Sequence, residues 1–163
     1  MRHKHTPWLV AVFWGGMGSA WAQPAAEIVS LSGQGESRPA ASSPWQAAQL
    51  RQTLDTGADM RTLAQSSAAL LLADRTQLRL GPLSLLRLNP QPQGKTALEL
   101  SVGRLWSRTK REPADLELRT PAAVAAVRGT DWDVEVDADG RTLLTVLSGQ
   151  IDVSNPQIGR AHV

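Results

Sequence analysis

The stretch TPAAVAAVRGTDWDVEV, Thr120 to Val136, decides how the rest of the chain is read. Pro121 has no amide hydrogen and pushes Thr120 towards an extended conformation, so the pair marks a boundary or an edge. Small apolar residues follow, Ala122 to Val127, bounded by Arg128-Gly129-Thr130. From Asp131 to Val136 polar and apolar residues alternate strictly, which places Trp132, Val134 and Val136 on one face of a strand. Asp137-Ala138-Asp139-Gly140 has turn chemistry, Thr142–Leu147 is a second extended run, and Ser148-Gly149-Gln150 reads as a further turn before Ile151-Asp152-Val153. The local reading is strand, turn, strand, turn, strand.

Outward from this segment, short apolar runs recur with turn signals between them: Ala26–Ser32, Met60–Leu63, Ala68–Leu72, Gln77–Leu80, Leu83–Leu88, Thr96–Val102 and Asp115–Arg119. No long helical period appears. The expected fold is all-β, a single compact domain of many short strands of about five residues, a β-roll or short solenoid rather than a closed barrel. Gln34–Pro44 and Asn89–Gly94 read as loops, the latter as a hinge. Trp45–Leu54 fits either a short helix or an irregular strand.

Both ends are set aside. Arg2, Lys4 and two histidines precede an apolar run from Trp8 too short to span a bilayer, and Ala20-Trp21-Ala22 is a small-x-small site before Gln23. Residues 1–22 are therefore expected to be a signal peptide cleaved between Ala22 and Gln23, with the mature chain in the periplasm or secreted. Ile158–Val163 is what a common sequencing adapter encodes when read through in one frame. Residues 158–163 are expected to be a non-native tail, with a native C-terminal region missing and the β domain spanning 23–157.

These exclusions change the chemistry. Removing Arg2, Lys4 and Arg160 from 17 basic residues leaves 14 against 15 acidic ones, a net −1. A near-neutral domain lacks the electrostatic footprint of a nucleic-acid binder. His3, His5 and His162 leave with the ends, and the chain has no cysteine. Nothing remains for a Ser–His or Cys–His pair, an imidazole or thiolate zinc site, or a disulfide framework. Ser107 and Lys110 are too casually placed for a Ser–Lys hydrolase. The expectation is a non-enzyme with no cofactor and no metal, held by packing across about 135 residues.

The signature resembles the core of the FecR domain, a family of bacterial cell-envelope domains. Thr120, Pro121, Val124, Val127, Arg128, Gly129, Thr130, Trp132, Val134, Gly140, Val146, Leu147, Gly149 and Val153 carry the likeness, within a signature region 120–154. Asp55–Asp59, Ser67–Leu72 and Gln77–Pro82 resemble an earlier part of the pattern, though Arg75 stands where the family prefers glycine. The resemblance implies protein–protein recognition in the envelope, by a family that relays iron-transport signals from an outer-membrane transporter to a sigma factor. The partner would be another envelope protein. The sequence departs from that layout in having neither a cytoplasmic anti-sigma segment nor a transmembrane helix. A structural or glycan-binding scaffold module of a larger envelope protein is the alternative.

Several residues carry chemistry worth placing. Asp131, Asp133, Glu135, Asp137 and Asp139 form an acidic ladder, but a straight strand spreads alternate side chains by about 7 Å, which suits a solvated face better than calcium. Arg104, Arg108, Lys110 and Arg111 could pair with that ladder, bind an anionic glycan or line a soluble rim. Arg128 must reach solvent or clamp a carboxylate or carbonyls. Gly129 should supply a bulge or a positive φ. Trp132 should face the core, whereas Trp45 could stack on a sugar or a partner.

Overall fold

A computed structural model describes residues 24–90, 96–109, 116–155 and 159–162. Its strands are β1 (Pro24–Ser32), β2 (Gly35–Arg38), β3 (Gln46–Ala47), β4 (Thr53–Asp55), β5 (Asp59–Thr62), β6 (Ser67–Leu72), β7 (Gln77–Leu80), β8 (Leu85–Pro90), β9 (Thr96–Arg108), β10 (Leu116–Arg119), β11 (Val124–Val136), β12 (Thr142–Asn155) and β13 (Gly159–His162). They form one curled sheet, a half-barrel, and no helix occurs among the described residues. Every pairing is antiparallel except β9 with β10, which run parallel. The all-β expectation is met.

Strand β9 organises the sheet. Its first half pairs with β8 (Leu88 opposite Leu98) and β10 (Leu118 beside Leu98). Its second half pairs with β7 (Leu80 opposite Leu105) and β11 (Val134 opposite Leu105). Gly103 stands at the change of partners with φ +100°, and a Cβ there would lie 2.4 Å from the Ser84 Cα. Only glycine allows that approach. The Ser84 hydroxyl accepts the Arg104 N–H at 2.9 Å and lies 2.9 Å from the Gly81 carbonyl, fixing the crossing.

Strand length departs from expectation. β9 and β11 have 13 residues and β12 has 14, against the five or so expected. Ser148-Gly149-Gln150 is not a turn but lies inside β12, and β11 runs through Arg128-Gly129-Thr130. Bulges at these glycines bend the strands without ending them. Asn89 and Pro90 close β8 instead of opening a loop, opposite Ala97 and Thr96; residues 91–94 of that expected hinge lie outside the described residues. β2 sits within the expected loop Gln34–Pro44, burying only Gly35 and Ser37, a pattern too polar to read as a strand. Trp45–Leu54 contributes the short strands β3 and β4. Gly159–His162, set aside as tail, pairs with Asp152–Asn155. Strand addition by main-chain bonds asks little of side-chain identity.

The inward faces supply one core. Ile28, Met60, Leu70, Leu78, Leu86, Leu98, Leu100, Leu105, Trp132, Val134 and Ile151 are all fully buried within it. Alternation explains the selection, because Trp132, Val134 and Val136 turn inward while Asp131, Asp133 and Glu135 turn out.

Candidate functional site

The signature residues interlock across the β11–β12 hairpin. Thr120 N–H bonds the Ala123 carbonyl at 2.9 Å, the Ala123 N–H bonds the Thr120 hydroxyl at 3.1 Å, and Thr142 Oγ1 lies 3.0 Å from the same hydroxyl. Pro121 packs on Gly140, whose added Cβ would lie 3.2 Å from it. One small turn therefore holds the two ends of the hairpin. Further along, Gly129 (φ +56°) and Gly149 (φ +89°) face each other at the bulge. The buried Thr130 hydroxyl lies 2.6 Å from the Arg128 carbonyl and 3.0 Å from the Gln150 carbonyl, sharing its single proton between them. A Cβ on Gly149 would come within 2.8 Å of that hydroxyl. Val127, Trp132 and Val134 are buried beneath, while Arg128 is exposed, on the opposite face from Val127.

The outward face of β7, β9 and β11 carries the richest chemistry. Register places Arg79, Trp106, Asp133 and Thr145 in one cross-strand row, and Gln77, Arg108, Asp131 and Ser148 in the next. The Arg79 and Arg108 guanidiniums both lie 5.1 Å from the centre of the half-buried Trp106 ring. Such cation–π contacts keep the indole ordered at the surface. Arg104 Nε bonds both Asp133 oxygens at 3.0 Å, and Arg108 Nε bonds Asp131 at 2.9 Å. The Asp133 carboxylate raises the Arg104 pKa above its ordinary value by hydrogen bonding and charge. Asp133 and Asp131 of the acidic ladder are thus partnered by Arg104 and Arg108; Lys110 and Arg111 lie outside the described residues. Asp137, at the ladder's end, accepts the N–H groups of Asp139 and Arg141 and shapes the hairpin turn. A shallow hollow bordered by Arg79, Gly81, Arg104, Trp106 and Asp133 opens on this face.

A second arginine cluster lies on β2, β5 and β8. Asp59 is buried and receives Arg38 Nε at 2.6 Å and a forked pair from Arg87 at 2.6 and 3.1 Å. Burial alone would raise the Asp59 pKa, but hydrogen bonds and charge from Arg87 and Arg38 outweigh it and hold the carboxyl below its ordinary value. Arg38 also stacks on Trp45 at 4.4 Å, and Arg61, paired with Glu36, stacks at 4.3 Å. Trp45, read from sequence as a candidate sugar-stacking or interface residue, is engaged by its own protein. Sequence alone held no signal for the Asp59–Arg38–Arg87 and Arg61–Glu36 pairs, because they meet only through the β2–β5–β8 register. Trp45 is brought beside Arg38 by the β2–β3 pairing.

On the inner side, an open apolar groove of about 290 Å³ runs between Leu118, Ala123, Ala125, Val134, Leu144 and Val153. Among the described residues, no group of three or more His, Cys, Asp or Glu side chains is arranged to hold a metal, and no helix is long and apolar enough to cross a membrane. The expected cleavage pair Ala22 and Gln23 lies outside the described residues.

Comparison with known proteins completes the placement. A family model described as FecR protein matches residues 58–152, more than half of the chain. Two crystal structures of a candidate anti-sigma factor from Parabacteroides distasonis ATCC 8503, at 1.65 and 2.50 Å resolution, share the fold with a TM-score of 0.57 at 16% identity. Each alignment covers 64% of this chain and 50% of the other, so this chain spans about half the length of the solved structures it matches. No curated protein matches the sequence. The matched span runs from the Asp59 cluster to the β11–β12 hairpin and takes in the interlocked signature: the chain belongs to the FecR family.

Proposed function

We propose that this chain is a non-enzymatic, exported recognition domain of envelope signalling, which binds a partner protein through the outward face of β7, β9 and β11. The observation that carries the reading is the Arg79–Trp106–Arg108 stack beside Arg104–Asp133. Ordered arginine and tryptophan side chains are the residue types that dominate protein interfaces. Family membership supports a signalling role, as does the fold shared with a candidate anti-sigma factor. Export rests on the basic, apolar and small-residue pattern of residues 1–22.

A photo-crosslinking residue at position 106 in living cells tests the proposal, with position 83, an exposed leucine site elsewhere, as control. An adduct with one envelope protein from position 106 alone is the expected result. Failure at 106 together with co-sedimentation on purified cell wall would favour the scaffold reading. N-terminal sequencing of the product should begin at Gln23; a product retaining Met1 would overturn export with cleavage.

A further inference from the structure

Four arginines stack on tryptophan rings among the described residues, and three of them also hold a carboxylate. Arg38 pairs with Asp59, Arg61 with Glu36 and Arg108 with Asp131. The fourth, Arg79, is exposed beside Trp106 and has no acidic partner among the described residues. Register explains the difference. In its cross-strand row Arg79 stands between Trp106 and Ala69, with Ser30 beyond Ala69. Both side chains are short and uncharged, so nothing from β6 or β1 in that row meets the guanidinium. The acids Asp131 and Asp133 stand two strands away on β11, already held by Arg108 and Arg104.

A cation–π contact orders a guanidinium without using any of its five N–H donors. Those donors form a rigid fork that fits a carboxylate. We propose that Arg79 is the anchor of this face for one aspartate or glutamate side chain of a partner protein, with the carboxylate on the fork and the stem of the side chain against Trp106. The inference rests on the reading of the Trp106 face as the partner surface and specifies what the partner must present. The adjoining hollow of about 310 Å³, bordered by Arg79, Gly81, Arg104, Trp106 and Asp133, gives the partner's main chain room. Gly81 brings no side chain to it, so a segment can lie close to the strands.

The surroundings select the class of anion. Arg79 offers a single positive charge, while Asp133 borders the hollow and the exposed Glu135 follows in the next row. A phosphate group brings about two negative charges, and an anionic glycan brings a series of them. Either would meet repulsion from Asp133 and Glu135 that one arginine does not offset. A lone carboxylate is matched by Arg79 alone. Trp45 provides a comparison within the same chain, because both arginines stacked on it already hold acids.

NMR of the isotope-labelled full chain reads the indole N–H of each tryptophan separately. The probe is a glycine–glutamate–glycine peptide with both ends capped, titrated to about 50 mM because a single charged pair binds weakly. A saturable shift at Trp106 is expected, with none at Trp45. The glutamine counterpart of the peptide, and inorganic phosphate at matched ionic strength, should leave Trp106 in place. Arg79→Gln should abolish the shift without moving the melting temperature. No saturable shift, an equal response to the glutamine peptide or at Trp45, or tighter binding of phosphate overturns the proposal. In cells, Arg79→Glu should cut the photo-adduct from position 106 about tenfold or more. An undiminished adduct overturns the anchor and leaves the partner face standing. Absence of an adduct from the parent chain overturns the partner face, and the peptide titration still decides the carboxylate site.

Discussion

Ser107 on β9 and Trp132 on β11 stand directly opposite each other, both fully buried, and each carries a polar atom with no hydrogen-bond partner. A buried hydroxyl without a partner carries a desolvation cost that replacement by a methyl group relieves. Ser107→Ala should therefore be neutral or raise stability by up to about 1 kcal/mol. Urea denaturation measures it, and a loss of 1 kcal/mol or so would mean that a water links the hydroxyl to the indole.

Trp132 itself should be costly to remove. Trp132→Ala empties the core beneath the β11–β12 hairpin and should cost about 3–5 kcal/mol. Asp133→Ala, on the other face of the same strand, breaks only a partly exposed pair with Arg104 and should cost about 0.5 kcal/mol. Comparable losses in urea melts of the two variants would contradict the assignment of inner and outer faces.

Asp59 should make stability depend on acid. Its folded pKa is depressed below the ordinary 3.8, so its contribution is fully present above that value and is lost as pH falls through the lower folded one. Asp59→Asn should lower stability by about 2–3 kcal/mol near neutrality, since it weakens bonds from two arginines. The gap between wild type and variant should stay constant above about pH 5 and close below the ordinary carboxylate range. A gap that persists at the lowest pH where the protein folds would show that packing, not charge, is lost.

Arg75 occupies the β6–β7 turn with φ +68°, where its family pattern prefers glycine. The turn is kept all the same, through the Asp74 side chain accepting Thr76 N–H at 2.8 Å. A side chain in the left-handed region costs about 1–2 kcal/mol, partly offset by the freedom glycine loses on folding. Arg75→Gly should thus raise stability by about 0.5–1 kcal/mol, readable as a higher melting temperature. A fall would place a stabilising contact on the arginine side chain.

Gly103→Ala should be among the most damaging small substitutions. The added Cβ would meet Ser84 backbone at 2.4 Å in a conformation that alanine avoids. A loss of about 3 kcal/mol or more is expected in thermal or urea unfolding. A loss under about 1 kcal/mol would show that the β8–β9 crossing can shift.

How much of this was legible follows from what each pattern encodes. Trp132, Val134 and Val136 could be assigned to the core because a period of two has one inward face. Gly129 carries the bulge and positive φ expected of it. Gly149, inside an expected turn, was harder, because a bulge and a turn both ask for glycine at positive φ; strand length was underestimated for that reason. The pairing of Arg104 and Arg108 with the acidic ladder could be guessed from opposite charge, but which acid meets which arginine depends on β9–β11 register. Arg79 over Trp106 and Arg61 over Trp45 meet through strand register and had no local signal, while Arg38 and the nearby Trp45 are brought together by the β2–β3 pairing.

The sharing of β9 among four neighbours has a consequence for how the molecule is made. Two of those neighbours, β10 and β11, follow it in the chain, and β11 ends only at Val136. A nascent chain stopped before β11 leaves the second half of β9, with Leu105, paired with β7 alone. Such wiring, dominated by contacts distant in sequence, makes folding slow and late. The polypeptide then stays threadable until β11 has been synthesised, a useful property for any chain that must pass a membrane pore before it folds.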